Sequence, residues 1–239
     1  MENKDYEDFI STISHELRTP LTSIRGFSQT MLSSWDKIDD DSKKKFLNII
    51  VDQSNRLINL VENMLAVTKL QNTKDNLIYR EFAVKPVIET TTAIVKNQYK
   101  DKIFEILQDN QVTLVLADKD KFQQIMTNLI ENAAKYGDEN STIKIEIRNK
   151  NDQVSVKVIN HGPEIPEDCY EKIFNKFSRI DSPLTRKVQG SGLGLYITKN
   201  LTEKMGGTIS VKSGNNITTF ELCLPCANIE KQARDKCRQ

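Results

Sequence analysis

Through the first seventy residues, apolar side chains return every three or four positions. Tyr6, Phe9, Ile10, Ile13, Leu17, Leu21, Ile24, Phe27 and Met31 trace one stripe; Phe46, Leu47, Ile50, Leu57, Val61, Met64 and Leu65 trace a second, which fades near Leu70. That spacing predicts two long amphipathic helices. The polar, acidic stretch Asp36 to Ser42 between them predicts the turn of a hairpin. Two helices cannot bury both stripes against each other alone, so a second copy of the hairpin, giving a four-helix bundle in a homodimer, is the expected completion.

The texture then changes. Gln71 to Tyr79 is polar and unpatterned and reads as a linker. Beyond it, Lys85 to Gln98 and Asp118 to Tyr136 carry helical periodicity. Phe104 to Leu107, Val112 to Leu116, Thr142 to Arg148, Val154 to Ile159, Gly207 to Lys212 and Thr218 to Leu224 read as strands. Strands mixed with helices in this order predict a sheet with helices on one face, an α+β architecture. The expected division is a hairpin over 1–70, a linker over 71–80, an α/β sandwich over 81–227 and a polar tail over 228–239.

Charge changes little in this picture. Lys+Arg 34 against Asp+Glu 33 leaves a net charge of +1. No global field therefore draws the chain to nucleic acid or to a lipid surface, and any anion must be held locally. The longest apolar runs, such as Val112 to Ala117, are too short to span a bilayer, and the first residues lack the pattern of a signal peptide. A cytoplasmic protein, or the cytosolic portion of a longer membrane-bound sensor, is expected, with membrane association only through such a parent chain. Cys223-Leu-Pro-Cys226 has the C-x-x-C spacing of redox and zinc sites, but it closes an alternating strand and no second pair exists to complete a zinc site. Reduced structural cysteines are expected.

Four stretches carry candidate chemistry. The first is Ile13-Ser-His15-Glu16-Leu-Arg-Thr19-Pro20-Leu21. His15 lies beside the apolar seam, Thr19 shares its face one turn on, and Pro20 predicts a bend just after it. A solvated polar face is one reading. The other is phosphoryl acceptance by neutral imidazole, with the neighbouring carboxylate fixing the tautomer and taking up the proton. A zinc protease motif is excluded, since it needs histidine where Thr19 stands.

The second stretch, Asp120 to Gly137, places Asn128 and Asn132 one turn apart, with Lys135 and Tyr136 following. Asparagine is a poor residue inside a helix, and two at this spacing point to a task. Amide oxygens suit Mg²⁺, Lys135 can meet phosphate, and Tyr136 offers a face to a base; a polar stripe is the alternative. The third, Asn160-His-Gly162-Pro-Glu164-Ile165-Pro166, is a turn at a strand end where Gly162 permits close backbone approach. The fourth, Gly190-Ser-Gly192-Leu193-Gly194-Leu195, leads glycines at alternate positions into a helix, the arrangement of a phosphate cradle. It matches neither a P-loop nor a dinucleotide fingerprint. The long segment between the last two, with Ile173, Phe174, Phe177 and several cations, reads as a lid.

In this order and spacing the motifs resemble the sensor histidine kinases of two-component systems, over nearly the whole chain from Tyr6 to Pro225. Phe9 to Leu21 looks like the H box, Asn128 to Tyr136 like the N box, Asn160 to Pro166 like the G1 box, Ile173 to Phe177 like the F box and Gly190 to Leu195 like the G2 box. The resemblance implies a dimeric phosphotransfer hairpin followed by a gyrase-like ATP-binding sandwich. It implies that His15 takes the γ-phosphoryl group of Mg-ATP, that Glu16 is its base or orienter, and that a response regulator's aspartate receives the group, docking near Gly26 to Met31. Glu16 and Thr19 match the family's phosphatase pattern. Asn128 and Asn132 would hold Mg²⁺, Lys135 the phosphates and Tyr136 the adenine face. Asn160, with Gly162, Ile165 and Thr218 around it, would address the adenine. The stretch Gly190, Gly192, Leu193, Gly194 and Leu195 would cradle the phosphates, with Arg179 and Arg186 as lid cations.

Two positions depart from the family's G1 pattern of Asp-x-Gly-x-Gly. Asn160 stands for the aspartate and Glu164 for the second glycine. An asparagine carbonyl still accepts a hydrogen bond from an adenine amino group, without charge assistance, at a loss of about 1 kcal/mol. These departures motivate a rival: a degenerate kinase that dimerises and binds a regulator without turning over ATP. Met1 lies so close to His15 that the chain is expected to be part of a longer sensor.

Overall fold

The computed structural model describes residues 2–71, 77–109, 113–150, 152–178, 180 and 191–227, with side chains from Ile10 onward in the first helix and to Leu70 in the second. The chain divides into two compact units, Met1–Lys69 and Leu70–Gln239.

The first unit is a helical hairpin. Helix α1 spans Glu2–Ser34 and continues through Pro20, whose missing N–H leaves the Glu16 carbonyl without its usual intrahelical donor. A 3₁₀ turn at Trp35–Lys37 reverses the chain, and α2 spans Asp40–Gln71. Asp39 caps α2. Its carboxylate accepts from the Ser42 N–H at 2.8 Å and the Ser42 hydroxyl at 2.7 Å, and these bonds hold its pKa below the ordinary value. Ile13, Met31, Leu60 and Val67 are buried, and Phe27 meets Phe46 with ring centroids 5.1 Å apart. The seam is incomplete, because Leu21, Val51, Ile58, Val61 and Leu65 stay exposed.

The second unit is a mixed sheet with helices. Strand β1 (Tyr79–Ala83) leads into α3 (Val84–Gln98), followed by β2 (Ile103–Gln108), β3 (Leu114–Asp118), α4 (Lys119–Tyr136), β4 (Thr142–Lys150), β5 (Gln153–His161), α5 (Gly194–Lys204), β6 (Thr208–Gly214) and β7 (Ile217–Pro225). Five strands form one sheet in the order β2-β4-β5-β7-β6, with β2 parallel to β4 and the other pairs antiparallel. β1 and β3 form a separate antiparallel pair, bridged to the sheet's end through Val115 and Cys226. Alternation sorts the faces: Ile143, Ile145 and Ile147 are buried on the side where β4 packs on α4, while Lys144 and Arg148 face water. Phe122, Ile125, Met126, Leu129 and Ile130 of α4 form the centre of this core.

Sequence periodicity placed the other strands but missed β1, which takes in Tyr79 and Arg80 of the stretch expected as linker. Its five residues alternate too weakly to stand out, and their pairing partner lies 35 residues on in β3. β3 begins at Leu114, and Val112 of the expected strand lies outside the described residues.

Two bonds tie the start of this unit to its helices. The Ile78 N–H donates to Asp118 Oδ2 at 3.0 Å, while Asp118 Oδ1 caps α4 by accepting from the Asp120 and Lys121 N–H groups, each at 3.1 Å. The Tyr79 hydroxyl donates to the Lys204 carbonyl at the end of α5, at 2.9 Å.

Candidate functional site

Helix α4 forms because Asp118 caps its start and a continuous apolar face packs into the core; its other face is set aside for polar groups. On that face Asn128, Asn132, Lys135 and Tyr136 are all half-buried. The Asn128 amide donates to the Gly194 carbonyl at 3.3 Å and to the Thr198 hydroxyl at 3.4 Å, which leaves its Oδ1 as the acceptor. The Lys135 ammonium lies 5.7 Å from the Tyr136 ring centre. Burial pushes the Glu131 carboxyl above its ordinary range, with Lys135 partly opposing it. Tyr99 is raised likewise, first by burial and then by the charge of Glu131.

The turn after β5 closes against the end of α4. A Cβ on Gly162 would lie 2.4 Å from the Tyr136 carbonyl oxygen, so only glycine lets the two backbones meet. Asn160 is 4% exposed, pairs across the sheet with Thr218 and donates to the His161 carbonyl at 3.4 Å. The Thr218 hydroxyl meets that of Ser213 at 2.8 Å, and Ser213 Oγ accepts from the Ile165 N–H at 3.0 Å. Glu164 turns to the β6–β7 hairpin, where its Oε1 accepts from the Asn216 N–H at 2.9 Å, while the Gly162 N–H donates to the Asn216 carbonyl at 2.9 Å. Asn215 and Asn216 have φ of 52° and 59°, the tight two-residue turn that presents both groups. The residue that departs from the expected glycine is thus a clasp on the turn.

The glycine-rich stretch supplies the third wall. Gly192 has φ +66°, and a Cβ there would lie 2.7 Å from the Phe177 carbonyl carbon, so the turn folds against the segment read as the F box. Leu193 is fully buried beneath it, and α5 starts at Gly194, beside Asn128 and with Leu195 half-buried in its first turn. Gly190, Arg179 and Arg186 lie outside the described residues. The Gly162 turn, with Asn160, and the start of α5 at Gly194 therefore both lie against α4, the first too close to the Tyr136 carbonyl to admit a methyl group and the second in ordinary contact with the Asn128 side chain, while Gly192 closes against Phe177. Helix N-terminal amides beside hard amide oxygens fit a nucleotide's phosphates with Mg²⁺. Among the described residues no group of three or more His, Cys, Asp or Glu gathers, so Cys223 and Cys226 have no further ligands of that kind.

In the hairpin unit His15 is exposed, and its carbonyl accepts from the Thr19 hydroxyl at 3.4 Å. Glu16 Oε2 takes a hydrogen bond from Arg56 Nη2 at 3.0 Å, with both side chains largely covered. Arg56 was not foreseen: it comes from α2, forty residues away, and its neighbours give no local sign of the pairing.

Both units match known domain families. Residues 5–73 match the His Kinase A (phospho-acceptor) domain, and residues 117–228 match the histidine kinase-, DNA gyrase B- and HSP90-like ATPase domain. The catalytic domain of the histidine kinase ThkA is 31% identical, with a TM-score of 0.56, and the match covers 62% of this chain and 95% of that one. The chain belongs to the histidine kinase family. The kinase ArlS of Staphylococcus haemolyticus is 33% identical over 215 residues, 90% of this chain and 47% of that protein. The structure of ThkA in complex with the response regulator protein TrrA is 29% identical, with a TM-score of 0.74, and covers 91% of this chain and 61% of that one. This histidine kinase chain spans about half the length of the ArlS proteins it matches. Its ATP-binding domain lies in the second unit. Among the described residues no helix is long and apolar enough to cross a membrane.

Proposed function

We propose that the chain is the catalytic core of a sensor histidine kinase, which phosphorylates His15 from Mg-ATP and passes the phosphoryl group to an aspartate of a response regulator. The observation that carries it is the packing of two turns on α4: the Gly162 turn lies too close to the Tyr136 carbonyl to admit a side chain, and the start of α5 lies beside Asn128, whose amide donates to the Gly194 carbonyl. A lone-pair nitrogen of the His15 ring attacks the γ-phosphorus. The N–P bond forms as the bond to the β-phosphate oxygen breaks, and ADP leaves. Glu16, steadied by Arg56, receives the ring's proton. Asn128 and Asn132 would hold Mg²⁺, which would supply positive charge to offset that of the phosphates. Lys135 meets the phosphates, Tyr136 packs on the base, and Asn160 accepts from its amino group.

The partner reading draws support from the ThkA–TrrA complex, in which a relative is bound to a response regulator. The exposed apolar residues Leu21, Val51, Ile58, Val61 and Leu65 support a homodimer in which a second hairpin covers them. Glu16 and Thr19, on adjoining faces of α1, would also orient water for removing phosphate from the regulator.

The test is incubation with γ-labelled ATP and Mg²⁺, followed by addition of candidate receiver domains. Wild type gains label that is stable to base and labile to acid, and His15→Gln gains none. Label retained in His15→Gln would move the acceptor elsewhere. No label in wild type, with nucleotide still bound, would favour the regulator-binding module without turnover that Asn160 and Glu164 motivate.

A further inference from the structure

We propose that Lys102 is a positioning residue that sets the spacing between the two sides of the base pocket; this rests on reading that pocket as the nucleotide site. Lys102 lies just before β2, at the close of the turn that leaves α3, with its backbone N–H on the Tyr99 carbonyl at 3.1 Å. Its side chain is 5% exposed. Lysine is almost never buried this deeply unless its charge is met, so its partners define its role. The ammonium donates to the Gly137 carbonyl at 3.0 Å and to the Asp138 carbonyl at 2.7 Å, and it lies 3.4 Å from the Asp101 carboxylate. These three contacts match its three donors.

The two carbonyls belong to the knot where α4 ends. Gly137 closes α4 with its N–H on the Ala133 carbonyl, so the cation stands at the negative end of the helix dipole. The Asp138 N–H donates to the His161 carbonyl at 2.8 Å, and the Asp138 carbonyl also accepts from the Ser141 N–H at 3.2 Å and the Ser141 hydroxyl at 2.6 Å. His161 directly follows Asn160, and Gly137 directly follows Tyr136. One buried ammonium therefore fastens the segment that joins Lys135 and Tyr136 on one side to Asn160 and Gly162 on the other. The tolerance at that junction is small, since a single added carbon on Gly162 would lie 2.4 Å from the Tyr136 carbonyl oxygen. A change of a few tenths of an ångström in the knot reaches both walls together. None of this chemistry was visible in the sequence, where Lys102 is one cation among many.

The experiment is a titration of the full chain with a fluorescent ATP analogue and Mg²⁺, alongside autophosphorylation kinetics and thermal unfolding. Lys102→Met keeps the side chain's length and apolar stem and removes all three donors. The expected result is a rise of roughly tenfold in Kd and in KM for ATP, with kcat within about twofold of wild type. Ile88→Val, a trimming of the fully buried face of α3, serves as the stability control and is expected to leave Kd and KM unchanged. Should Lys102→Met not fold, Lys102→Gln is read by the same titration. Unchanged affinity in the folded Lys102 variant, or an equal loss in Ile88→Val, would overturn the positioning role. A wild type that binds no nucleotide would overturn the pocket reading itself.

Discussion

Replacing Gly162 by alanine tests the central junction most directly. The added Cβ would stand 2.4 Å from the Tyr136 carbonyl oxygen, 3.3 Å from its carbonyl carbon and 3.4 Å from the Asn160 amide nitrogen. Side-chain carbons essentially never approach closer than 3.0 Å, so the β5 turn and the end of α4 must separate by at least 0.6 Å. Both partners are backbone, held by the Gly162–Asn216 bond on one side and the Gly137–Ala133 bond on the other, so neither yields easily. Overpacking of this kind costs about 2 kcal/mol, which lowers Tm by roughly 4–8 °C in a domain of this size. If the bound state carries about 1.4 kcal/mol more of that misfit than the free state, nucleotide Kd rises about tenfold. Gly214 is the matched control in the same sheet: nothing lies within 4 Å of a Cβ there, so Gly214→Ala is expected to be neutral or to stabilise by about 0.5 kcal/mol. Scanning calorimetry and titration with a fluorescent ATP analogue read both quantities. Equal Tm and Kd for wild type and Gly162→Ala would show that the two walls do not meet as described.

Other residues give sharper, narrower expectations. Asn160→Asp restores charge assistance toward an adenine amino group and should tighten ATP binding by about fivefold to tenfold; calorimetric titration checks it, and a looser Kd would mark the amide as the preferred reader. Glu131 has a carboxyl whose pKa burial raises, so the folded state keeps its proton while the unfolded chain loses it above the ordinary 4.5. That difference in bound protons erodes stability as pH rises through the window above 4.5. Glu131→Gln should therefore be more stable than wild type at pH 7 and equal to it below about pH 4, as urea unfolding at the two pH values will show. Arg56→Met should cost the hairpin about 1 kcal/mol and slow phosphorylation of His15 with KM for ATP little changed, since it acts on Glu16; a pure KM effect would contradict that role.

Local patterning carried most of the fold. The two helical stripes, the alternation in β4, β5 and β7, and the apolar face of α4 are periodic signals that need no tertiary context. The same holds for candidate residues whose task opposes local preference: Asn128 and Asn132 stand out because a helix has no use for them. What stayed hidden depends on partners far along the chain. β1 is defined by β3, the Glu16–Arg56 pair spans forty residues, and Lys102 gains its meaning from Gly137 and Asp138. Glu164 was legible only as a departure; its bond to Asn216 explains why a carboxylate is tolerated there, because it faces the neighbouring hairpin.

The attachment of Ile78 and Tyr79 has a mechanical consequence. α4 is gripped at its first turn through Asp118, and α5 at its last through the Lys204 carbonyl. The glycine turns and asparagines sit toward the opposite ends of those rods, up to about 25 Å away along α4. The chain at Ile78 and Tyr79 is thus fastened to both helices at once, at the ends remote from Asn132 and Gly194. A stiff helix turns a small tilt at its grip into a larger sweep at its tip, so these two bonds hold the direction of both helices from the ends away from the glycine turns.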